Sequence, residues 1–125
     1  MTVFDHIDLR VADVKRCRPF YDAFLREYGF RGKTQPDGAR LYFRLDGRDV
    51  REVIVVSADP DHRPNATCLA FAAPSREDVD RVAEAARVAG ARVFEAPAPC
   101  PEYTPTYYAA FFEDPDGNRL EVVCR

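Results

Sequence analysis

Several things are scarce in this chain, and each scarcity closes a door. There are only two histidines among the 125 residues, His6 and His62. The second lies in a polar, proline-bearing stretch (Asp59 to Asn65, DPDHRPN) that reads as a linker. No serine or cysteine is therefore offered a partnered imidazole, and a nucleophile triad is unsupported. The four cysteines, Cys17, Cys68, Cys100 and Cys124, are scattered without a CxxC pair. They read as reduced thiols of a cytoplasmic protein rather than a disulfide framework. No apolar run approaches the roughly 18 residues of a membrane helix. Asp5, His6, Asp8 and Arg10 interrupt the segment where a signal peptide would be apolar. Basic excess is absent too: the formal net charge is −3, so no nucleic-acid footprint is present. What remains, at 46% hydrophobic and 31% charged residues, is the composition of a single soluble globular domain.

The most informative stretch is Tyr107 to Val123, YYAAFFEDPDGNRLEVV. Two apolar runs flank Asp114-Pro115-Asp116-Gly117-Asn118, which is turn chemistry, so a β-hairpin is predicted with strands near 107–113 and 119–124. Side chains alternate along a strand, placing Leu120, Val122 and Cys124 on one face and Glu121 and Val123 on the other. A carboxylate in so apolar a sheet would cost several kcal/mol if left buried and unpaired. Glu121 is thus exposed, paired with a cation, protonated, or bound to a metal.

Earlier in the chain, Val3 to Val11 alternates, with Ile7, Leu9 and Val11 opposite His6, Asp8 and Arg10. Asp13 offers a helix cap, and Cys17, Phe20, Tyr21, Phe24, Leu25 and Tyr28 follow at helical spacing up to Gly29. Pro19 fits only if the helix begins shortly before it. A short strand near Phe30 and two further strands follow, one carrying Arg40, Tyr42 and Arg44 on a single face, the next running from Glu52 to Ser57. After the linker the order recurs: a strand from Thr67 to Ala73, a helix capped by Ser75 with Asp78 in capping-box position, and Gly90 at its end. A strand from Arg92 to Ala96 then leads into a proline-rich loop, Pro97 to Pro105, and the hairpin. The chain thus reads as a duplication, strand–helix–three strands twice over. The predicted fold is α+β: two βαβββ modules, about 1–58 and 66–125, with mixed sheets curled around a cleft.

The segments HIDLRVADVKRCRPFYDAFL, CLAFAAPSREDVDRV and YYAAFFEDPDGNRLEVV resemble the vicinal oxygen chelate superfamily, which includes glyoxalase I, bleomycin-resistance proteins, fosfomycin-resistance enzymes and extradiol dioxygenases. The resemblance implies paired βαβββ modules, a homodimer, and a site inside the curled sheets. In metal-dependent members a divalent ion such as zinc, nickel, manganese or iron is held at the start of each module's first strand and on each module's last strand. Carried over, the ligand positions are His6 and Glu121, which match in type, Cys68 where histidine is usual, and Val55 where glyoxalase-type sites have a carboxylate. One His, one Cys and one Glu suit zinc better than the two-His, one-carboxylate pattern of non-haem iron, so a dioxygenase is the least supported enzymatic reading.

Beside the metal positions, Arg10, Arg40, Tyr42 and Arg44 could face the cleft as contacts for a carboxylate or phosphate ligand. Tyr103 and Tyr108, with Tyr107, could stack on a planar one. The bland alternatives are a solvated polar face for the arginines, packing for the tyrosines, a small buried thiol for Cys68, and a strand hydrogen bond for His6. Glu121 could equally pair with Arg10, Arg40 or Arg44, or act as a general base. Two functions follow. One is a glyoxalase-type lyase or isomerase working through a divalent metal, with Glu121 or a cleft group moving the proton. The other is a metal-free protein of bleomycin-resistance type that sequesters a small molecule.

Overall fold

Local chemistry fixes where each helix begins. In the computed structural model, which describes residues 3–125, Asp13 is extended and its carboxylate accepts a hydrogen bond from the Arg16 amide, opening the first helix at Val14. Ser75 does the same through the Asp78 amide, and its hydroxyl donates to the Asp78 carboxylate, joining the two side chains at the capping-box positions. The elements run β1 (His6–Val11), α1 (Val14–Arg26), β2 (Arg31–Thr34), β3 (Arg40–Asp46), β4 (Asp49–Ala58), β5 (Cys68–Ala72), α2 (Arg76–Val88), β6 (Arg92–Pro99), β7 (Tyr108–Glu113) and β8 (Arg119–Cys124). They form two units, Met1–Arg63 and Pro64–Arg125. Among the described residues no helix is long and apolar enough to cross a membrane.

Both units are built alike. The first has a four-stranded sheet in the order β1-β4-β3-β2, the second in the order β5-β8-β7-β6. In each, the opening strand lies parallel to the closing one and the remaining pairs are antiparallel. This is the predicted α+β fold of duplicated βαβββ units. The registers also match: Asp8 stands beside Val55 in the first unit as Ala70 stands beside Glu121 in the second. Val55 is therefore the positional counterpart of Glu121.

Each helix covers one face of its own sheet. Cys17, Phe20, Tyr21, Phe24 and Leu25 of α1 are buried with Val11, Tyr42, Ile54 and Val56. Val79, Val82, Ala83 and Ala86 of α2 are buried with Ala110, Phe112, Leu120, Val122 and Cys124. Each large apolar side chain sequestered this way contributes about 2–3 kcal/mol. Pro19 lies inside α1, farther from its start than the sequence suggests. Both Pro19 and Lys15, whose carbonyl Pro19 leaves without an amide donor, are exposed, so water can take its place.

One boundary differs more. The strand expected to stop at Ala96 continues as β6 to Pro99, taking in three residues of the proline-rich stretch. β6 is an edge strand, where a missing amide donor need cost no ladder hydrogen bond.

The helix-facing side of the first sheet carries a polar knot. Asp22 of α1 accepts hydrogen bonds from the Tyr42 hydroxyl at 2.7 Å, Arg40 Nε at 3.2 Å and Arg18 Nε at 3.3 Å. Burial pushes the Asp22 carboxyl up, but these donors together outweigh it and hold it below the usual aspartate value. Asp22→Asn is expected to cost about 1–3 kcal/mol at neutral pH in urea unfolding. Because the folded-state value is lowered, the stabilisation is present above about pH 4 and is lost as pH falls through the folded value. The penalty should therefore shrink in acid; a penalty independent of pH would refute the assignment.

Candidate functional site

On the second unit, the sheet face away from α2 forms an open cavity of about 750 Å³. Alternation and register decide what lines it. Glu121 of β8 stands opposite Phe111 of β7, and Phe111 opposite Glu95 of β6, so the three side chains form one row across the sheet. All three border the cavity, with Cys68, Cys100, Tyr103 and Arg119 around them.

Glu121 is the chemical centre of this face. Only 7% of it is exposed, and the Tyr107 hydroxyl donates a short hydrogen bond to its Oε1. Among the described residues its other oxygen has no hydrogen-bond partner. Burial, followed by the Glu121 hydrogen bond and charge, pushes the Tyr107 phenol up to about 12. Arg125 lies over the Tyr107 ring, 5.0 Å from its centroid, and Tyr103 packs against the same ring at 4.9 Å. The loop joining β6 to β7 holds these rings together, with the Cys100 amide bonded to the Tyr107 carbonyl at 2.8 Å and the Tyr103 amide to the Cys100 carbonyl at 3.1 Å.

Both thiols on this wall are kept in the neutral form. Burial, then the Glu121 charge, raises Cys68, with Arg119 opposing. Burial, then Glu102 and Glu121, raises Cys100. Neither is an activated nucleophile, since reactivity follows the thiolate.

Glu95 reaches the cavity through an irregularity. From the Arg92–Glu113 pair to the Glu95–Phe111 pair, β6 advances three residues while β7 advances two, and the same happens again before Ala98–Ala109. Each step is a β-bulge, which re-aims the side chains beyond it. Strict alternation from Arg92 would turn Phe94 to the cavity and Glu95 to the helix. Instead Phe94 stacks on buried Phe112, 6.1 Å between centroids, and Glu95 faces the cavity. Val93, in the bulge, has φ of 48°, a region that costs a β-branched residue about 1–3 kcal/mol.

In the first unit, His6, Asp8 and Arg10 occupy the face away from α1, in register with Val53, Val55 and Ser57. His6 Nδ1 meets Asp5 Oδ1 at 2.7 Å; that hydrogen bond, then the Asp8 charge, raises the imidazole above its ordinary value. Arg10 donates to Ser57 Oγ at 2.7 Å.

Four residues expected as ligand contacts make other contacts in the structure. Arg40 and Tyr42 lie under α1, bound to Asp22. Arg44 shares their side of the strand, pairs with Glu52 at 3.5 Å and lies over the Phe30 ring. Tyr108 faces α2, donating to Asp80 at 2.7 Å beneath the Arg76 guanidinium. The alternation holds in each case, but Arg40, Tyr42 and Tyr108 close on side chains of the helices and Arg44 closes on Glu52 of β4. Tyr103, by contrast, does border the cavity. Glu95, Phe111 and Cys100 were missed, as was Tyr107 as the partner of Glu121. Counting back from the Asp-Gly turn would have set Phe111 opposite Glu121, whereas nothing in the sequence marks the β6 bulges.

The donors do not make a complete set for a divalent ion. Among the described residues no three of His, Cys, Asp and Glu converge. Val55, at the position matching Glu121, has no donor atom, and one Glu121 oxygen is occupied by Tyr107.

The family model for the Glyoxalase/Bleomycin resistance protein/Dioxygenase superfamily matches residues 3–122. The chain belongs to this superfamily. An uncharacterised Bacillus subtilis protein, YqjT, is 30% identical, over 94% of this chain and 95% of its own. A glyoxalase/bleomycin resistance protein from Albidiferax ferrireducens is 26% identical, with a TM-score of 0.76 over 99% of both chains. A mutant of the Listeria monocytogenes fosfomycin resistance protein FosX, solved with manganese(II) and a dihydroxypropylphosphonic acid, shares the fold at 16% identity and a TM-score of 0.69, over 98% of this chain and 89% of that one.

Proposed function

We propose that this superfamily member is a small-molecule binding protein whose ligand occupies the cavity of the second unit without needing a metal. Glu121 carries the reading: a carboxylate nearly withdrawn from water, with one oxygen fixed by Tyr107 and the other without a hydrogen-bond partner, opens on a cavity of a size suited to a small organic ligand. Half-buried Phe111 and exposed Tyr103 supply apolar surface around it. Tyr107 holds the carboxylate's orientation, so a ligand donor meets a prepared acceptor rather than a mobile side chain.

The competing reading is a glyoxalase-type lyase holding a divalent ion at His6 and Glu121, with Cys68 as a third donor. Metal content of protein purified without chelators separates the two, measured for the parent, His6→Ala and Glu121→Ala. We expect well under one ion per chain in all three. We also expect the amide signals of Tyr103, Phe111 and Glu121 to shift with members of a neutral and charged fragment set equally with and without EDTA. One ion per chain, lost in both variants, would overturn the proposal in favour of the lyase. So would fragment binding that EDTA abolishes, or a set that leaves those signals unmoved.

A further inference from the structure

The charges around the cavity say what kind of ligand it takes. Four carboxylates border it, Glu95, Glu102, Glu113 and Glu121, against the single guanidinium of Arg119. Arg119 stands directly opposite Glu113 in the β7–β8 register, one row away from Glu121, and Arg125 lies over the Tyr107 ring rather than on the Glu95–Phe111–Glu121 row. Glu95 has no hydrogen-bond or ion-pair partner among the described residues, and the second oxygen of nine-tenths-buried Glu121 has no hydrogen-bond partner either. Between these two carboxylates, on the same cross-strand row, lies the Phe111 ring. Strands are spaced about 4.8 Å apart, so the backbones bearing Glu95 and Glu121 are roughly 10 Å apart, leaving a gap a small cationic head can bridge.

Resting on the pocket reading above, we propose that the cavity selects an organic cation: an ammonium or guanidinium head seated over Phe111 between Glu95 and Glu121, with its apolar body toward Tyr103. The head gains two opposite charges and an aromatic face at once, each attractive to a cation. An anion seated there would meet Glu95 and Glu121, which like-charge repulsion disfavours. The combined field of Glu102, Glu121 and Glu95 already registers on the Cys100 thiol between them, raising it after burial has done so. The β6 bulge fits the same purpose. Without it, Phe94 would occupy the cavity face and Glu95 would be turned away.

The test compares benzylammonium, benzyl alcohol and benzoate, three probes with the same ring and different charge, by amide shifts in the intact protein at neutral pH. Benzylammonium should bind most tightly, and Glu95→Gln should weaken it by about fivefold while leaving benzyl alcohol unchanged. Glu95 is exposed, so this variant keeps the fold. Raising salt should weaken benzylammonium selectively. If benzyl alcohol or benzoate binds the cavity as well as benzylammonium does, or Glu95→Gln changes nothing, the cation assignment falls while the pocket reading stands. If none of the three moves the Tyr103, Phe111 or Glu121 signals, both fall.

Discussion

Asp114→Ala is expected to destabilise the protein by about 2–4 kcal/mol, a large share of the few kcal/mol that separate a domain of this size from its unfolded state. Asp114 is fully buried in the turn between β7 and β8. Its carboxylate accepts from the Asp116 amide at 2.8 Å, the Asn118 amide at 3.0 Å and the Asn118 side-chain amide at 2.8 Å. Alanine removes the acceptor and keeps the donors, the costly half of a broken hydrogen bond. The backbone cannot relax freely to compensate. Gly117 is held at φ of 92°, and a Cβ there would stand 2.8 Å from Pro64 Cγ. The turn sets the register that places Glu121 opposite Phe111, so the loss should also blur the cavity. Urea unfolding should show a lower midpoint at unchanged slope, with Asp114→Asn, which keeps one acceptor oxygen, less than half as damaging. A midpoint for Asp114→Ala matching the parent would refute this account.

That turn was legible from residue types alone, because Asp-Pro-Asp-Gly-Asn leaves a chain few other conformations. The duplication was legible for a similar reason: Asp13 and Ser75 as caps, and Gly29 and Gly90 at positive φ behind the helices, are local signals that need no tertiary context. The alternation of Leu120, Val122 and Cys124 against Glu121 also emerged intact, with the first three buried. What period-two reasoning could not supply was which face of a sheet meets a helix. Arg40, Tyr42 and Arg44 share a face, as the pattern says, yet that face lies under α1, and Asp22 from a distant part of the sequence completes it. The bulges in β6 were invisible because each shifts the phase of the strand, and Val93 gives no warning that it adopts a glycine-like φ. Those two failures reverse the electrostatic reading of the site. Arg40 and Arg44, expected at a ligand, bond to Asp22 and Glu52, and Glu95, which the sequence does not single out, borders the cavity.

The second large effect should come from Tyr107→Phe, at about 2–3 kcal/mol in neutral solution. The substitution keeps the ring against Tyr103 and removes only the hydroxyl, so packing is nearly conserved and the loss reports the hydrogen bond. Glu121 would then be buried with no donor to either oxygen. Glu121→Gln, by contrast, leaves an acceptor for the Tyr107 hydroxyl and should cost less than about 1 kcal/mol. A cost ordered the other way would mean that the charge, not the hydroxyl, holds the pair together. The two can be separated further by pH. With its folded value pushed up to about 12 against an ordinary value of 10.0, Tyr107 favours the native state while protonated. That contribution is complete below about pH 10 and is lost as pH rises through about 12. Parent stability should therefore fall more steeply than that of Tyr107→Phe across this alkaline window. Tyr42 and Tyr108, also raised, remain in both proteins and cancel in the difference. Phenolate absorbance gives the matching readout, since the variant should lack one late-titrating tyrosine. Parallel alkaline profiles would show that Tyr107 is not coupled to Glu121, and the prepared acceptor on which the proposed ligand recognition rests would be lost with it.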